Sequence, residues 1–584
     1  MAHTQAFLTS ATRHRKSHQC GMALITTVIL LFLMSVTTAS LLNLVGTAIT
    51  SAQKRTDMTE AFNMADSGLD LAKVWLTQQG TPPVYTSLNF ASNNAFYGTN
   101  GTITNPYGIA SQAGATLKIT INVDNTNTGS VQKHYLIESQ ATMPSGAIQT
   151  VREYVQQSSF GKYAYFAVND GGGFWDFNNH FEGPVHFNDG HNGDTGQSTF
   201  MWQNPTPTPI FTYTGSDAFS VSDDVRWWKD TVGNVSAPTS AADFKSVAVG
   251  GLATMTYGFQ TDASGNPILD AGGNKIPISP PIPLPTTSYQ QQYAALGDPA
   301  PANTSSPDSN APTTNGININ TNGGFNASNG HVTGGLFIHG DNAMTLQLDG
   351  SGNQQILVVQ GGVTQTVTIN MASNSTIIDL PTVSTQGVVT HHVQNLIGVP
   401  NGMVYSDGNI TSLSGKLADN VTDASGNVLN ASHMTIATDL ANSKDVTLTG
   451  SITYNTARDL TKVQAADTNF NQKAGIFGIL SHHVQVASNA PSNLEFDGSI
   501  FATSTFDYPN YGFGGTKGNM TCVGGVITKD SGIFATANAN GTLANGYNEV
   551  YHYDSRLADT PPPFFPTTGA HYDIISWQRV TSTL

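Results

Sequence analysis

Charge is what this 584-residue sequence has least of: Lys, Arg, Asp and Glu make up 11% of it, under half the roughly 25% of ordinary soluble domains. That scarcity argues against a helical cytosolic enzyme. Cysteine is equally scarce. Cys20 and Cys522 are the two present, in unrelated contexts, so no disulfide framework staples the chain. Basic residues number 23 against 39 acidic ones, for a net charge of −16, and such a surface does not attract nucleic acid or anionic lipid by default. No nucleic-acid partner is expected. The sequence also lacks an HExxH pair, EF-hand spacing, a P-loop, a nucleophile elbow and a dinucleotide fingerprint. No catalytic residue is therefore assigned, and the chain is read as a non-enzyme.

What fills the sequence instead is Gly and Pro, 58 and 27 residues, within a chain that is 39% hydrophobic. Asn, Thr, Ser and Gln separate short Val/Ile/Phe runs, the make-up of a turn-rich β body of the secreted or surface kind. Wholesale disorder is excluded by the apolar content. The length corresponds to roughly three to four domain-sized units.

The amino terminus differs from everything after it. Residues 1–21 hold Arg13, Arg15 and Lys16 and no acid, and the 35 residues from Gln19 to Gln53 carry no charge. About 20 apolar residues cross the hydrocarbon core, and the basic flank keeps the leader cytoplasmic. The body then lies outside the cytoplasm. Met58, Phe62, Ala65, Leu69, Ala72 and Leu76 recur at steps of four and three, an apolar stripe that continues the helix until Gly80 and Pro82-Pro83 end it. Helix 22–79 would be roughly 87 Å long at 1.5 Å per residue. A secretory signal peptide cut near Ala39 and a plain signal anchor compete for this segment. Neither accounts for the glycine between the basic leader and the first apolar residue.

The stretch Gly21-Met22-Ala23-Leu24-Ile25, followed by the long helix and Ala61-Phe62-Asn63-Met64-Ala65-Asp66-Ser67-Gly68-Leu69, resembles the amino-terminal domain of type IV pilin-like proteins, in particular PilX-type minor pilins. The resemblance implies a leader (1–21) cut after Gly21 by a prepilin peptidase, methylation of Met22 and assembly through the helix. Thr26, Phe62, Ala65, Gly68 and Leu69 are then the assembly residues. Major pilins carry Glu at the fifth mature position, where this chain has Thr26. A buried amino terminus lacking that partner is costly in mid-filament, which points to a tip or sparse minor subunit. Implied partners are other pilin subunits, the inner membrane and the peptidase. The implied location is the inner membrane before assembly, then the pilus or cell surface.

Beyond the helix, Thr116–Val123, His134–Glu138 and Ile148–Tyr154 alternate apolar and polar residues, predicting a small antiparallel sheet within 80–160 that packs on the helix. Short runs closed by turns then recur at Gly183–Gly190, Gly335–Asp341, Gly402–Gly408, Gly498–Ala502 and Gly524–Thr528. They predict rungs of an irregular β-solenoid or strands of a sandwich. The tetrapeptide His-His-Val-Gln at 391–394 and 482–485 reads as part of the same repetition. The expected fold class is α+β, mostly β. Its divisions are a β-rich region with an insertion at 161–275, a Pro/Asn/Ser-rich linker at 276–317 and a solenoid-like ectodomain at 318–584. Gly183–Asp189, the run from Gly335 and the carboxyl-terminal stretch Tyr553–Trp577 resemble the β-rich ectodomain that often follows PilX-type helices, so that the resemblance covers most of the chain.

Candidate chemistry is sparse, and each instance has a structural reading. His180, His186 and His191 lie near Asp176, Glu182, Asp189 and Asp194, a set that could take a cation but reads as a polar loop. Turns at Asp262–Asn266, Asp349–Asn353 and Asp423–Asn427 place oxygen donors beside glycine, as calcium turns and ordinary exposed turns both do. No cofactor is assigned, structural calcium being the one allowance. His391-His392 and His482-His483 are taken to alternate sides of a strand. Cys522 reads as a small buried hydrophobe, Asp554–Arg556 as a turn-fixing ion pair and Trp577 as a core or edge anchor. The ectodomain is expected to cap, limit or adhere, with a surface or glycan ligand. The rivals are a permanently anchored adhesin and a polysaccharide-active solenoid enzyme. Leader removal takes three cations and no acid, leaving 20 against 39 and a net charge of −19, too few cations to neutralise an acidic polymer.

Overall fold

The computed structural model describes residues 11–78, 114–124, 133–169, 281–298, 305–422, 432–538 and 543–580, with shorter stretches between 87 and 279 and at 428–429. One helix, α1 (Ala11–Gln78), opens the chain. It is continuous through Gly21 and ends within a residue of the expected boundary. Its second half docks on an antiparallel sheet of β1 (Ser87–Asn89), β2 (Thr116–Asp124), β3 (His134–Thr142) and β4 (Ile148–Ser159). Ala61, Met64, Ala65, Leu69, Ala72 and Leu76 are buried against Leu117, Ile119, Tyr135, Ile137, Val151 and Val155. The apolar stripe read from the sequence is thus the docking face from Phe62 onward, whereas Met58 stays exposed.

Parallel strands follow, stacked as a solenoid. One wall is built by β5 (Tyr165–Asn169), β6 (Val185–Asp189), β7 (Phe219–Val221), β8 (Met255–Thr256), β9 (Val332–His339), β10 (Met403–Ser406), β11 (Met434–Thr438), β12 (Phe477–Ser481), β13 (Leu494–Asp507) and β14 (Thr516–Asp530). All five glycine-bounded runs read from the sequence fall in this wall. Its inward ladder runs Leu336, Val404, Ile436, Ile479, Ile500, Val526, Tyr165 and Val185, each in register with the next. A second ladder joins Met344, Leu413, Leu448 and Val486. A third joins Ile452, Phe496, Cys522, Tyr551, Phe181 and Tyr213. Three walls therefore enclose one apolar core, which settles solenoid against sandwich. Cys522 is buried within it, its thiol pushed up by burial. β13 and β14 turn from the third wall into the first at Gly498 and Gly524, paired in register with φ of 127° and 155°, conformations that a side chain would strain.

The winding order is not the chain order. β14 stacks on β5, and β5 leads outward through β6 and β7 to β8. The chain thus enters the stack at an interior rung, winds to one end, crosses to the other at β9, and winds back to its entry point. Antiparallel strands close the β9 end: Gly316–Thr321 against β9, and the meander Asn342–Leu348, Gln354–Gln360, Val363–Asn370, Ser375–Asp379 and Val393–Ile397.

The crossing segment, in its described residues 281–298 and 305–315, is packed on the solenoid rather than the bare linker expected at 276–317. It is a strap laid over the outward ladder Phe337, Tyr405, Ala437, Leu480, Phe501, Ile527 and Phe166. Asn188 Nδ2 donates to Ile282 O at 2.6 Å, and Ile282 N donates back to Asn188 Oδ1 at 2.7 Å. Ser288 Oγ donates to Thr438 O at 2.7 Å, and the helix α2 (Tyr289–Leu296) accepts from Asn401 Nδ2 at Ala294 O. Prolines suit an extended strap because they need no ladder partner. Composition alone cannot distinguish that from a linker.

The C-terminal strand β15 (Thr567–Val580) leaves the solenoid and pairs antiparallel with β4. The solenoid is therefore an insertion between two neighbouring strands of the helix-bearing head, and the divisions at 161–275 and 318–584 cut through one body.

Candidate functional site: the junction of helix and head

The segment Ala61–Leu69 is where sequence and geometry meet most closely. Ala65 and Leu69 are buried in the helix–sheet core. Gly68 is where the sheet comes nearest: a Cβ there would collide with Ser139 Oγ and lie 3.2 Å from both Leu117 methyls. Phe62 stacks edge-on against Trp577 at 6.0 Å, and the Trp577 indole N–H donates to Asp66 Oδ1 at 3.2 Å. Arg579 sits 5.3 Å over the Phe62 ring. Phe62 and Asp66 thus grip β15, and Trp577 is an edge anchor. Inside, Lys73 reaches Glu153 at 3.3 Å and Asp70 at 3.0 Å, and burial pushes the Glu153 carboxyl up.

The other half of α1 stands exposed from Met22 to Thr56. Its most apolar window is wholly unburied, and the segment from Met22 is long and apolar enough to cross a membrane. Thr26 donates to Met22 O at 2.9 Å and Ala23 O at 3.0 Å, so its hydroxyl is satisfied within the helix. Gly21 lies inside the helical backbone of α1, and residues 1–10 are outside the described residues.

The other sequence candidates resolve as structure. His186 is 1% exposed, hydrogen-bonded to Ser220 Oγ at 2.7 Å and Asn188 Oδ1 at 3.0 Å and stacked on Phe166. Asp176, His191 and Asp194 lie outside the described residues. His180 and Glu182 belong to Asn179–Glu182, Asp189 to β6. Asp262 and Asp349 spend their carboxylates on amides of their own turns, at 2.8 and 2.9 Å in each. Asp423–Asn427 lies outside the described residues. The paired histidines correct the sequence reading, since neither pair lies on a strand. His391 bonds Asp379 at 2.6 Å beside the capping meander, whereas His482 and His483 bond Asp445 and Asp507 at solenoid corners, both at 3.0 Å. The repeated tetrapeptide therefore marks two unlike places. Among the described residues no group of three or more His, Cys, Asp or Glu could hold a metal ion.

Two features had no sequence signal. Asp497 is buried with one oxygen accepting from Tyr454 N at 2.7 Å and the other unpartnered; burial, then Glu495, push its carboxyl well up. A cleft of about 400 Å³ opens beside the strap, lined by Val168, Leu284, Leu440, His482, Thr503 and Lys529 among others.

Burial holds the His186 imidazole neutral and pushes its pKa down to about 4. The unfolded chain takes up that proton near 6.5, so the stabilisation is complete above 6.5 and is lost as pH falls towards 4. The loss is on the order of 3 kcal/mol at about 1.4 kcal/mol per unit. His433, also pushed down to about 4 by burial, adds to the same slope. Urea unfolding of the detergent-solubilised chain between pH 4 and 7 is expected to show it, with a shallower slope in His186→Gln.

No protein-family model and no curated protein matches the chain. A comparison with solved structures finds the competence-associated pilin ComZ from Thermus thermophilus, 13% identical over 90% of this chain and 98% of that one, with a TM-score of 0.26. That score is too low to carry an argument. The conclusion that stands on the geometry is an α+β, mostly β chain: a long apolar helix, a small antiparallel head and a solenoid inserted into the head.

Proposed function

We propose that this chain is the precursor of a pilin-type subunit, inserted in the inner membrane, cleaved after Gly21 and assembled through α1 into a pilus or pseudopilus. The solenoid is then its external working part, used to prime assembly or to adhere. The observation that carries the reading is the length of bare apolar helix. From Met22 to Gln53 it spans 32 residues, roughly 48 Å, against about 30 Å of hydrocarbon. Leu41, Leu42, Leu44, Val45 and Ile49 are all more than half exposed. A simple anchor has no use for apolar surface beyond the bilayer; a helix that packs among other helices does.

Thr26 offers no charge to a neighbouring amino terminus, which favours a tip or sparse position. The test is the amino-terminal mass of the protein from its own cells, with and without the prepilin peptidase. A methylated chain beginning at Met22, seen only with the peptidase, is expected. Retention of Met1 would leave a permanent anchor, and a start near Ser40 an ordinary secreted protein.

A further inference from the structure

We propose that the cleft beside the strap is the ligand site of the solenoid and takes a short oligosaccharide carrying a uronic acid. This rests on the reading that the solenoid is the external working part, not on the fate of α1. The strap is pinned at both ends. Asn188 of β6 holds Ile282 through both of its amide atoms, and Ser288 Oγ donates to Thr438 O and accepts from Leu440 N beside β11. Between the pins, no hydrogen bond joins residues 283–287 to the wall among the described residues, and Pro283 and Pro285 have no N–H to offer. In the stack β6, β5, β14, β13, β12, β11, the pins stand five rung spacings of about 4.8 Å apart, so the strap arches over roughly 24 Å. The cleft, about 400 Å³, lies between that arch and the wall.

Successive rungs each give its floor one residue: Val168 from β5, Lys529 from β14, Thr503 from β13, His482 just after β12 and Leu440 just after β11. Apolar residues hold the two ends and polar ones the middle. Lys529 makes no ion pair and the Thr503 hydroxyl no hydrogen bond among the described residues. Asp445 occupies Nδ1 of His482 at 3.0 Å, which fixes the ring and leaves Nε2 for a ligand. Acids outnumber bases 39 to 23 in the chain, yet no carboxylate is among the described residues that line this cleft. The scarcity of cations bars an acidic polymer from being held along the whole surface, but one acid in one cleft needs a single lysine. The occupant is therefore short and linear, with an acid at its middle, hydroxyls for Thr503 and His482, and apolar faces for Val168 and Leu440. Sugar rings present such faces through their C–H groups. An acidic peptide fits less well, because extended peptides bind by adding to a sheet edge, and here the strands cross the cleft under a proline-bearing strap.

The test is calorimetric titration of the full, detergent-solubilised chain with trimers of galacturonate, glucuronate and mannuronate. At least one trimer is expected to bind, and its methyl ester at least tenfold more weakly. Lys529→Gln is expected to weaken binding at least tenfold with an unchanged urea midpoint, and Lys529→Arg to keep most of it. Absence of binding by all three trimers, equal binding of the ester, unchanged binding by Lys529→Gln, or equally tight binding of triglutamate overturns the site while leaving assembly through α1 intact. A wild-type chain that keeps residues 1–21 removes the assembly reading and leaves the site.

Discussion

Arg556→Ala is expected to destabilise the solenoid by about 3–5 kcal/mol, the cost of leaving a buried carboxylate without its cation. Asp554 is 0% exposed. Its oxygens receive the Arg556 guanidinium in a fork, Nε to Oδ1 at 3.0 Å and Nη2 to Oδ2 at 2.6 Å. Gln464 Nε2 adds a third bond at 2.6 Å. The same guanidinium donates to Ala474 O at 2.7 Å and lies 4.1 Å from the Phe470 ring centroid. Three segments, at Gln464, at Phe470 and Ala474, and at Asp554, thus meet at one cation. Arg556→Lys keeps the charge but loses the fork and the flat contact with Phe470, so an intermediate loss is expected. Urea midpoints of the detergent-solubilised chain measure both. An Arg556→Ala midpoint equal to that of the wild type would mean that water replaces the pair and that the segment is not closed.

The second large effect is expected at Gly68. Leucine there has no space against Ser139 and Leu117, and should cost at least about 3 kcal/mol by forcing α1 off its sheet. Gly68→Ala is the finer test. Alanine gains up to about 1 kcal/mol of helix propensity but collides with the Ser139 hydroxyl, which has no hydrogen-bond partner. Adding Ser139→Ala should therefore restore or exceed wild-type stability, a coupling that a double-mutant cycle isolates. Limited proteolysis reads the docking directly: in Gly68→Leu the helix beyond Phe62 should be cut at native temperature. If Ser139→Ala fails to rescue Gly68→Ala, the close approach is not what requires glycine.

The sequence was legible wherever one local rule decided the outcome. The stripe from Phe62 to Leu76 is helical amphipathicity, the runs from Thr116, His134 and Ile148 are strand alternation, and the glycine-bounded runs are rungs. β11 and β12 are buried on both faces and show no alternation, and they were not among the glycine-bounded runs read. What stayed hidden was non-local. Nothing in Thr567–Val580 announces a partner some 400 residues earlier, and nothing in the prolines of 277–285 tells a strap from a tether. The histidine pairs misled for the opposite reason, since a four-residue echo looks like a repeat whether or not the backbone repeats with it. At the junction, Phe62, Ala65, Gly68 and Leu69 were read from a motif as assembly residues, and the burial of Ala65 and Leu69 in the chain's own helix–sheet core is a packing role that the motif does not announce.

The rung β5 is synthesised early but finds its inner neighbour, β14, only when residues 516–530 arrive, and the head lacks its outer strand until 567–580 follow. Pairings at such sequence separation form slowly. Until then an open rung faces solvent, and α1 sits on an unfinished sheet. A chain cut before residue 516 therefore lacks both a closed stack and a complete surface beside its helix, and one cut before residue 567 still lacks the second, so the helix-bearing head is the last part of the molecule to be finished.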